Sequence, residues 1–350
     1  MSGYMAAAWR ALQKHSAIQT KIVALRESEV HPATQFSESL YHGLDLQLIS
    51  YDECMNGQVV DDVVRDFKPE VIVTAGWIFA TYRRVCIRAA KQGVSVVMIM
   101  DTPWQNKFKQ HFTWLRHRRF LSSVQHLFVA SQQASLYGSK LGFANNQITD
   151  GLYSWDQELA DATRKHENKR DRAGLLYVGR YVESKGIHEL LDAYKVYRER
   201  VPDPWPLHCC GIGPLSELIS SSPGVVNHGF IQPQDLPRFF AENTAYILPS
   251  RYEPWGVALV EALGCGLPVI ATTACGAARA IVKNRENGVI VPPNSSKHLL
   301  DSILYLHRLD MISLNKMRCS ASNSARPFTA TSWAARVEAM LFGLRRNKCE

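Results

Sequence analysis

The stretch from residue 250 to residue 270, SRYEPWGVALVEALGCGLPVI, constrains the fold more than any other part of the chain. An apolar run precedes it, and a second apolar run closes it between Pro268 and Ala271. Short apolar runs bounded by turn residues are typical of buried strands, and the apolar residues that follow Gly256 favour a helix. The stretch therefore predicts a strand, a loop, a helix and a second strand in that order.

Two carboxylates lie on either side of the predicted helix start, Glu253 in the loop and Glu261 inside the helix. Gly256 has no side chain, so a ligand can approach the first N–H groups of the helix, which favour an anion. A carboxylate beside that anion is suited to accept hydrogen bonds from sugar or ribose hydroxyls. We expect a site for a phosphorylated sugar donor rather than two solvated glutamates, because apolar residues surround Glu261 in the sequence.

Two cations emerge from a second predicted strand, which begins at residue 173 and runs out into Arg180 and Lys185. In an open α/β sheet the ligand crevice lies beyond the carboxyl ends of the strands, so both cations would face it and clamp a diphosphate. The alternative is a surface lysine and an arginine that pairs with an acid such as Glu183 or Glu189.

A third signal is the turn formed by Gly211, Ile212, Gly213 and Pro214 after a short apolar strand, which suits close approach of backbone to a ligand. Further on, a strand enters a loop at Phe230 and Ile231, and exposed backbone there is a candidate for reading a nucleobase.

Over roughly residues 170 to 295 the chain resembles the retaining glycosyltransferases of family four, the glycosyl transferases group 1. The resemblance rests on motifs that occur in the family's order, Gly179-Arg180, Lys185-Gly186, Gly211-x-Gly213-Pro214, Pro249-Ser250 and the pair Glu253 and Glu261. It implies the GT-B fold, in which two Rossmann-like doubly wound α/β domains face each other across a cleft and a C-terminal helix crosses back to the first domain.

The resemblance also implies an activity. A hexosyltransferase of this kind moves a sugar from a nucleoside diphosphate sugar, with a UDP-sugar favoured here, to a glycan or lipid-linked acceptor with retention at the anomeric carbon. Such transfer serves polysaccharide or glycoconjugate biosynthesis. Because cations can stabilise the leaving diphosphate, no metal and no other cofactor is expected.

Site residues follow from the same resemblance. Arg180 and Lys185 would bind the donor diphosphate, and backbone near Gly256 would hold phosphate. Glu253 would contact the transferred sugar and Glu261 the ribose. The wider donor-binding set is Gly179, Gly211, Gly213, Phe230, Ile231, Ser250, Trp255, Gly256, Val257 and Glu261.

The N-terminal half departs from the family pattern at two positions. Relatives usually begin with a strand and a glycine-rich loop, whereas here Gly3 would represent that loop and its strand would be absent. Either the start is truncated or the sheet lacks one strand. After the strand that ends at Met100, many relatives place a histidine near the reacting sugar, and Asp101 takes that position as a candidate catalytic residue or as a turn cap. Trp77 and Trp104 are acceptor-side candidates, with a buried core role as the alternative.

Alternating apolar strands and helical patterns predict a parallel, doubly wound sheet in this half. The predicted strands are Lys21 to Leu25, Leu46 to Ser50, Val71 to Ala75, Val94 to Met100 and Leu127 to Ala130. The predicted helices are Tyr4 to His15, Val59 to Phe67, Tyr82 to Gln92, Asn106 to Ser122 and, at the C-terminus, Thr331 to Arg346. We expect an acceptor-side domain at 1–153, a charged linker at 154–172, a nucleotide-sugar domain at 173–328 and a C-terminal helix at 329–350.

The formal net charge of +8 has a local source at 107–120, where aromatic residues and cations alternate. This pattern suits the surface of an anionic membrane, although a solvated basic helix is an equal alternative. No nucleic-acid motif and no apolar run long enough to span a bilayer is present, so we expect a cytoplasmic protein, peripheral on the inner face of the cytoplasmic membrane. Eight cysteines without a CxxC pair indicate neither a zinc site nor a disulfide framework.

Three other functions remain open at this point. A nucleotide-sugar epimerase shares the two-domain architecture and would convert its donor without an acceptor. A phosphorylase would need a lysine that anchors pyridoxal phosphate, and no sequence context singles one out. A catalytically silent scaffold would bind the donor without turnover. The motifs leave the base, the sugar, the acceptor and the oligomeric state undetermined.

Overall fold

A computed structural model describes residues 2–26, 36–166 and 174–346. The chain divides into two compact units. Unit 1 comprises Met1–Ser154 and Ala330–Glu350, and unit 2 comprises Trp155–Thr329. Residues 167–172 of the expected linker, and residue 173 of the expected second domain, lie outside the described residues.

Unit 2 is built on a parallel sheet. Its strands are β7 (Leu175–Val178), β8 (Leu207–Cys210), β9 (Val225–Asn227), β10 (Ala245–Leu248), β11 (Val269–Thr272) and β12 (Gly288–Val291). Its helices are α8 (Glu158–Arg164), α9 (Ile187–Arg200), α10 (Ser216–Ser221), α11 (Leu236–Glu242), α12 (Val257–Gly264), α13 (Gly276–Ile281), α14 (Ser296–His307) and α15 (Met311–Ala325).

The strand order of this sheet is β12-β11-β10-β7-β8-β9, and every pairing is parallel. The chain starts in the middle at β7, builds outward to β9, and then returns to the other side of β7 with β10. The direction of winding therefore reverses between β7 and β10, and in such sheets the ligand crevice opens beyond the carboxyl ends of the two strands at the reversal.

The core of unit 2 explains why these segments are strands. Apolar side chains of β7, β8 and β10 meet those of α9 and α14 in one buried cluster that includes Leu175, Leu207 and Ile247. Strands buried on both faces need nearly continuous apolar sequence, which is the pattern that the chain shows at these positions.

Unit 1 contains parallel strands in separate sheets. Its strands are β1 (Ile22–Leu25), β2 (Leu46–Ile49), β3 (Val71–Ala75), β4 (Ser95–Met100), β5 (His126–Val129) and β6 (Ile148–Asp150). Its helices are α1 (Gly3–His15), α2 (Tyr51–Asn56), α3 (Gln58–Phe67), α4 (Ala80–Lys91), α5 (Phe108–His111), α6 (Thr113–Leu121), α7 (Gln132–Lys140) and α16 (Ala330–Arg346). Within the described residues, β1 pairs with β2, and β3 to β6 pair in sequence order.

The C-terminal helix α16 belongs to unit 1, where it packs against α1. Trp333 lies at this contact, with its ring 5.2 Å from that of Trp9 and its Nε1 donating to the carbonyl oxygen of Leu152 at 2.7 Å. Of all helices in the described ranges, none is both apolar enough and long enough to cross a bilayer.

Most predicted elements of unit 1 begin and end within two residues of those observed. The helix expected over Asn106 to Ser122 is instead two helices, α5 and α6, which meet at Phe112. The expected linker is also different, because Trp155 is buried and α8 packs against α11 inside unit 2. Charged residues on the outer face of α8 hid this packing from the sequence pattern.

Trp155 is an anchor of unit 2. Its Nε1 donates to the carbonyl oxygen of Ala325 at 2.9 Å, and its ring fills the space in which a Cβ on Gly264 would lie. We expect Trp155→Ala to lower the free energy of unfolding by about 3–5 kcal/mol, because it leaves a large cavity. Urea denaturation measures this loss. Trp114→Ala is the matched control, since Trp114 is 47% exposed, and equal losses in both variants would contradict the assignment.

Candidate functional site

Loops that follow β7 and β10 meet at the reversal point of the unit 2 sheet. The backbone N–H groups of Arg251 and Tyr252 donate to the carbonyl oxygen of Ser184 at 2.9 and 3.1 Å. Gly186, with φ at 70°, lies so close to the carbonyl of Pro249 that a Cβ would overlap it. The loop carrying Lys185 and the loop carrying Glu253 are therefore held in one arrangement by the backbone itself.

Lys185 and Glu253 form an ion pair across these two loops, with Nζ of the lysine donating to Oε2 of the glutamate. Their side chains are only 16% and 12% exposed. A largely buried ion pair gains little net stability, because removing both charges from water offsets their attraction. Its chemical significance is that a cation and a hydroxyl acceptor lie side by side at the sheet edge.

Arg180 is exposed, and among the described residues no carboxylate forms an ion pair with it. The pairing of Arg180 with Glu183 or Glu189, which the sequence left open, does not occur. Arg251 takes both acids instead, through Nε to Glu189 at 2.8 Å and Nη1 to Glu183 at 3.3 Å.

Arg251 is therefore a site residue that sequence reasoning missed. It fixes the loop that carries Glu253 to the beginning of α9, where Glu189 lies. The available signal was a cation two residues before Glu253 and two acids, Glu183 and Glu189, on either side of Lys185. Only the folded structure shows that Arg251 contacts both of these acids.

Gly256 is the N-cap residue of α12 and adopts φ of 99°. A Cβ at this position would lie 2.8 Å from Sγ of Cys275 and 3.1 Å from Cδ2 of Leu248. Packing within the protein therefore requires glycine at position 256, whether or not a ligand also approaches it. Beyond it, Val257 and Ala258 present first-turn N–H groups that have no acceptor inside the helix.

Ser250 and Trp255 are buried, so their side chains do not line an open donor site as expected. The ring of Trp255 packs 5.7 Å from that of Phe328, and its carbonyl oxygen accepts from Ala277 N at 2.9 Å. The carbonyl oxygen of Ser250 accepts from Oγ1 of Thr272 at 2.5 Å. Both residues support the loop from inside unit 2. Trp255 is buried because its large ring gains more from apolar packing than from exposure.

The other glycines of the predicted donor set bring backbone segments together. A Cβ on Gly211 would overlap the carbonyl oxygen of Gly179, and a Cβ on Gly213 would lie 2.9 Å from the backbone nitrogen of Tyr181. The N–H of Gly211 donates to Gly229 O at 2.7 Å. These contacts hold the loop after β8 against the loop after β7.

Phe230 and Ile231 follow directly in the loop after β9, and both are half-buried. Asn227, the last residue of β9, accepts from the hydroxyl of Tyr181 at 3.0 Å and from the N–H of Gly229 at the same distance. The segment proposed to read a base is thus tied to the loops of the charged groups.

Glu261 lies in the second turn of α12 with a half-buried side chain. Burial, and to a smaller degree the neighbouring carboxylate of Asp156, raises the pKa of Glu261 to about 7. The residue therefore changes charge near neutral pH, whereas an ordinary glutamate is ionised there.

Several candidates lie in unit 1 and are described there by themselves. Gly3 is the first residue of α1, so its expected role in a glycine-rich loop is wrong. Trp77 and Trp104 are partly buried against Tyr137, with ring centroids 6.1 and 5.5 Å from it. Asp101 follows β4 directly and accepts from the hydroxyl of Tyr153 at 2.9 Å.

Comparison with solved structures identifies the fold. The protein is similar to HepE of Anabaena, solved with UDP and glucose, at a TM-score of 0.67 and 16% identity over 92% of this chain and 99% of that one. It is also similar to sucrose-phosphate synthase of Thermosynechococcus elongatus, at a TM-score of 0.71 and 17% identity over 94% and 100%. The expected GT-B fold is confirmed.

Residues 160–326 match the family described as Glycosyl transferases group 1. Mannosylfructose-phosphate synthase of Agrobacterium fabrum is 27% identical over 203 residues, 53% of this chain and 44% of the relative. Phosphatidyl-myo-inositol mannosyltransferase of Mycobacterium leprae is 35% identical over 144 residues, 39% and 38%. These alignments span less than two thirds of either relative.

The chain thus has the GT-B fold, and its residues 160–326 match the family model of the glycosyl transferases group 1. The resemblance drawn from the ordered motifs is confirmed over this stretch.

The raised pKa of Glu261 gives a pH prediction. Because the folded protein holds this proton more tightly than the unfolded chain, stability falls as pH rises from about 4.5 to about 7 and levels off above that. We expect Glu261→Gln to remove a decrease on the order of 2 kcal/mol over this range. Urea denaturation at a series of pH values measures it. Glu199→Gln on the exposed face of α9 is the control, and parallel curves for wild type and Glu261→Gln would refute the prediction.

Proposed function

We propose that the protein is a retaining hexosyltransferase that moves a sugar from a nucleoside diphosphate sugar to a hydroxyl of a glycan or lipid-linked acceptor. A UDP-sugar is the favoured donor, and polysaccharide or glycoconjugate biosynthesis is the favoured setting. The observation that carries this proposal is the Lys185–Glu253 pair at the carboxyl edge of the unit 2 sheet, beside the first turn of α12.

The charges of this edge match the parts of such a donor. Arg180 and Lys185 supply positive charge for a diphosphate, and the first N–H groups of α12 add hydrogen-bond donors. Glu253 cannot approach phosphate favourably, but it can accept from the hydroxyls of the transferred sugar. Glu261, which lies in the second turn of α12, is assigned to the ribose.

The chemistry then needs little from any nucleophilic side chain. The bond between the anomeric carbon and the diphosphate oxygen breaks, and its electron pair stays on the phosphate. The acceptor hydroxyl forms the new bond on the same face, and its proton passes to the leaving phosphate oxygen. Arg180, Lys185 and the start of α12 stabilise the charge that grows on the diphosphate, so they act most strongly in the transition state.

We also propose that the reaction requires no metal ion. Two cationic side chains, Arg180 and Lys185, supply the positive charge that the leaving diphosphate needs. HepE was solved with UDP-glucose and relatives include a mannosyltransferase, which supports sugar nucleotides as the donor class.

Donor binding tests the proposal directly. In buffer containing EDTA, we expect one of UDP-glucose, GDP-mannose or ADP-glucose to raise the melting temperature, because a ligand of the native state stabilises it. Lys185→Ala and Glu253→Gln should reduce that shift, and Lys185→Ala should lower the transfer rate about a hundredfold. Lys195→Ala is the matched control, because Lys195 is exposed on α9.

The outcomes separate the alternatives. Conversion of the donor to its epimer without an acceptor would favour an epimerase, and donor binding without turnover would favour a scaffold. Normal transfer by Lys185→Ala would reject the role given to that lysine. Inversion at the anomeric carbon, read from the product by NMR, would reject retention.

The acceptor side carries a surface that fits a membrane. Phe108, Phe112, Trp114 and Leu115 are exposed on α5 and α6 or between them. Five lysine and arginine residues accompany them at 107–119, and no Asp or Glu occurs from residue 102 to 149. Apolar side chains insert into the interface while cations meet anionic headgroups, so we propose peripheral binding to an anionic membrane, on the cytoplasmic face, where a lipid-linked acceptor is available.

Vesicle binding tests this surface. Wild type should sediment with phosphatidylglycerol vesicles more than with phosphatidylcholine vesicles, and salt should weaken the binding. Phe108→Ser and Leu115→Ser should each weaken it about tenfold, because each removes an exposed apolar side chain that the membrane would bury. Ile312→Ser, an exposed apolar position in unit 2, is the control. Equal binding to neutral vesicles, or stronger binding to RNA, would overturn the membrane assignment.

A further inference from the structure

One helix, α4, packs on both parallel sheets of unit 1. Val85 of α4 is buried in a cluster against which Val23 of β1 packs and which contains Ile49 of β2. The next residue, Cys86, is buried in a second cluster, against which Ile72 of β3 packs. The β1–β2 sheet and the β3–β6 sheet therefore lie side by side beneath α4, although within the described residues no strand of one pairs with a strand of the other.

The opposite face of the four-stranded sheet is covered by α16. Side chains alternate between the two faces of a strand, so Phe128 of β5 points away from Leu127 and Val129, which lie in the cluster on the α4 side. The ring of Trp333 in α16 lies 6.1 Å from that of Phe128 and 5.2 Å from that of Trp9 in α1. Unit 1 thus has the helices of a doubly wound domain on both faces, with α1 on the α16 side.

The strand β1 has an unpaired edge on the side away from β2. The N–H groups of Ile22 and Arg26 donate to carbonyl oxygens on the β2 side. Successive residues of a strand direct their backbone polar groups to opposite sides, so the N–H and C=O of Val23 and Leu25 point away from β2.

The strand β3 has a matching unpaired edge. The carbonyl oxygen of Glu70, just before β3, accepts from the N–H of Ser95 at 3.0 Å, so the backbone groups of Val71 and Val73 point away from β4. Outside the strand ladders, no hydrogen bond within the described part of the chain reaches the N–H or C=O of any of the four edge residues, Val23, Leu25, Val71 and Val73.

Both edges have the composition of a sheet interior. The inner strand β4 is almost entirely buried, whereas every residue of β1 is only half-buried and Val73 is 37% exposed. Exposed strand edges are commonly protected by charged residues or proline, and neither Ile22–Leu25 nor Val71–Ala75 contains one. Strands of this apolar composition are normally covered by neighbours inside a parallel sheet.

The order of elements indicates that one strand would join the two sheets. In unit 2 the first strand, β7, lies inside its sheet between β8 and β10. In unit 1, α1 leads into β1 and β2, and the chain then continues to β3. A helix that connects parallel strands of one sheet has a strand before it as well as after it, and within the described residues no strand precedes α1.

We propose that the break between β1 and β3 is a binding slot for one extended apolar strand, supplied by a polypeptide segment joined to the amino end of α1. This strand lies parallel to both neighbours, and its backbone forms hydrogen bonds with the four edge residues. A strand of five residues, the length of β3, fills the slot. Apolar, β-branched side chains suit it, because one of its faces meets the α4 side and the other the α1 side. The inference does not depend on the proposed sugar transfer.

Hydrogen exchange of the full chain tests whether the edges are open. The amides of the four edge residues should exchange roughly a hundredfold faster than the amide of Val97, which is buried in β4, because they have no acceptor. Protection equal to that of Val97 would show that the edges are already paired and would overturn the inference.

A strand added to the chain tests the occupant. The sequence VIVTA, a copy of β3, is fused ahead of Ser2 through a glycine-serine linker as long as the loop at 179–186. The fusion should slow exchange of the four edge amides about tenfold or more and raise the melting temperature by about 5 °C, because it pairs both edges. The matched control fusion has proline in place of the central valine of the added strand, which removes a ladder donor, and should do neither. Equal effects of the two fusions, or unchanged exchange with VIVTA, would reject the slot.

A charge at the slot tests where the added strand binds. Val73→Lys should be tolerated by the chain without the fusion, since Val73 is partly exposed, but should abolish the stabilisation by VIVTA, because the filled slot would bury the ammonium group. Val226→Lys is the matched control, since Val226 is 41% exposed on β9 at the edge of the unit 2 sheet. Stabilisation that persists in Val73→Lys would place the added strand elsewhere and contradict the proposal.

The free peptide VIVTA separates a strand of the same chain from a strand of another molecule. It should protect the four edge amides only at millimolar concentration, because linkage to α1 raises the local concentration of the strand. Protection by micromolar peptide, or a stabilisation by the fusion that grows with protein concentration, would assign the slot to a second molecule and overturn the proposed occupant.

Discussion

The join between two loops at the reversal point of the unit 2 sheet is the constraint on which the candidate donor site depends. The carbonyl of Ser184 accepts from two successive backbone N–H groups of the facing loop. This fixes where Lys185 and Glu253 lie before any ligand arrives, so their ion pair forms without free movement of either loop. In a preorganised site of this kind, the charged side chains need not move when negative charge develops on the leaving diphosphate.

The same join shows why packing and binding are hard to separate at this edge. Gly186, Gly211 and Gly256 are required because protein atoms fill the space of a Cβ. Ser250 and Trp255 are buried beneath the loop surface and support the loop conformation by packing. Residues that belong to a binding motif therefore act in part by allowing backbone segments to approach one another, and fewer of them are available to touch a donor than the motif suggests.

Unit 1 distributes its charge differently. Cations and exposed aromatic rings share the surface at 107–119, whereas the lone carboxylate Asp101 is held by a phenol at the edge of the sheet. The basic and aromatic region is the one proposed to contact an anionic membrane, and it contains no acidic residue.

The sequence by itself determined the α/β class and nearly all strand positions, because apolar periodicity and turn chemistry are local. Its ordered motifs indicated the family by resemblance. It also located Arg180, Lys185, Glu253 and Glu261 on the correct kinds of element. Tertiary structure alone decided that Arg251 takes Glu183 and Glu189, that Trp255 is buried and that Tyr153 holds Asp101. These contacts join residues about 50 to 70 positions apart or depend on burial in the folded unit, and no local pattern encodes which distant partners share a surface.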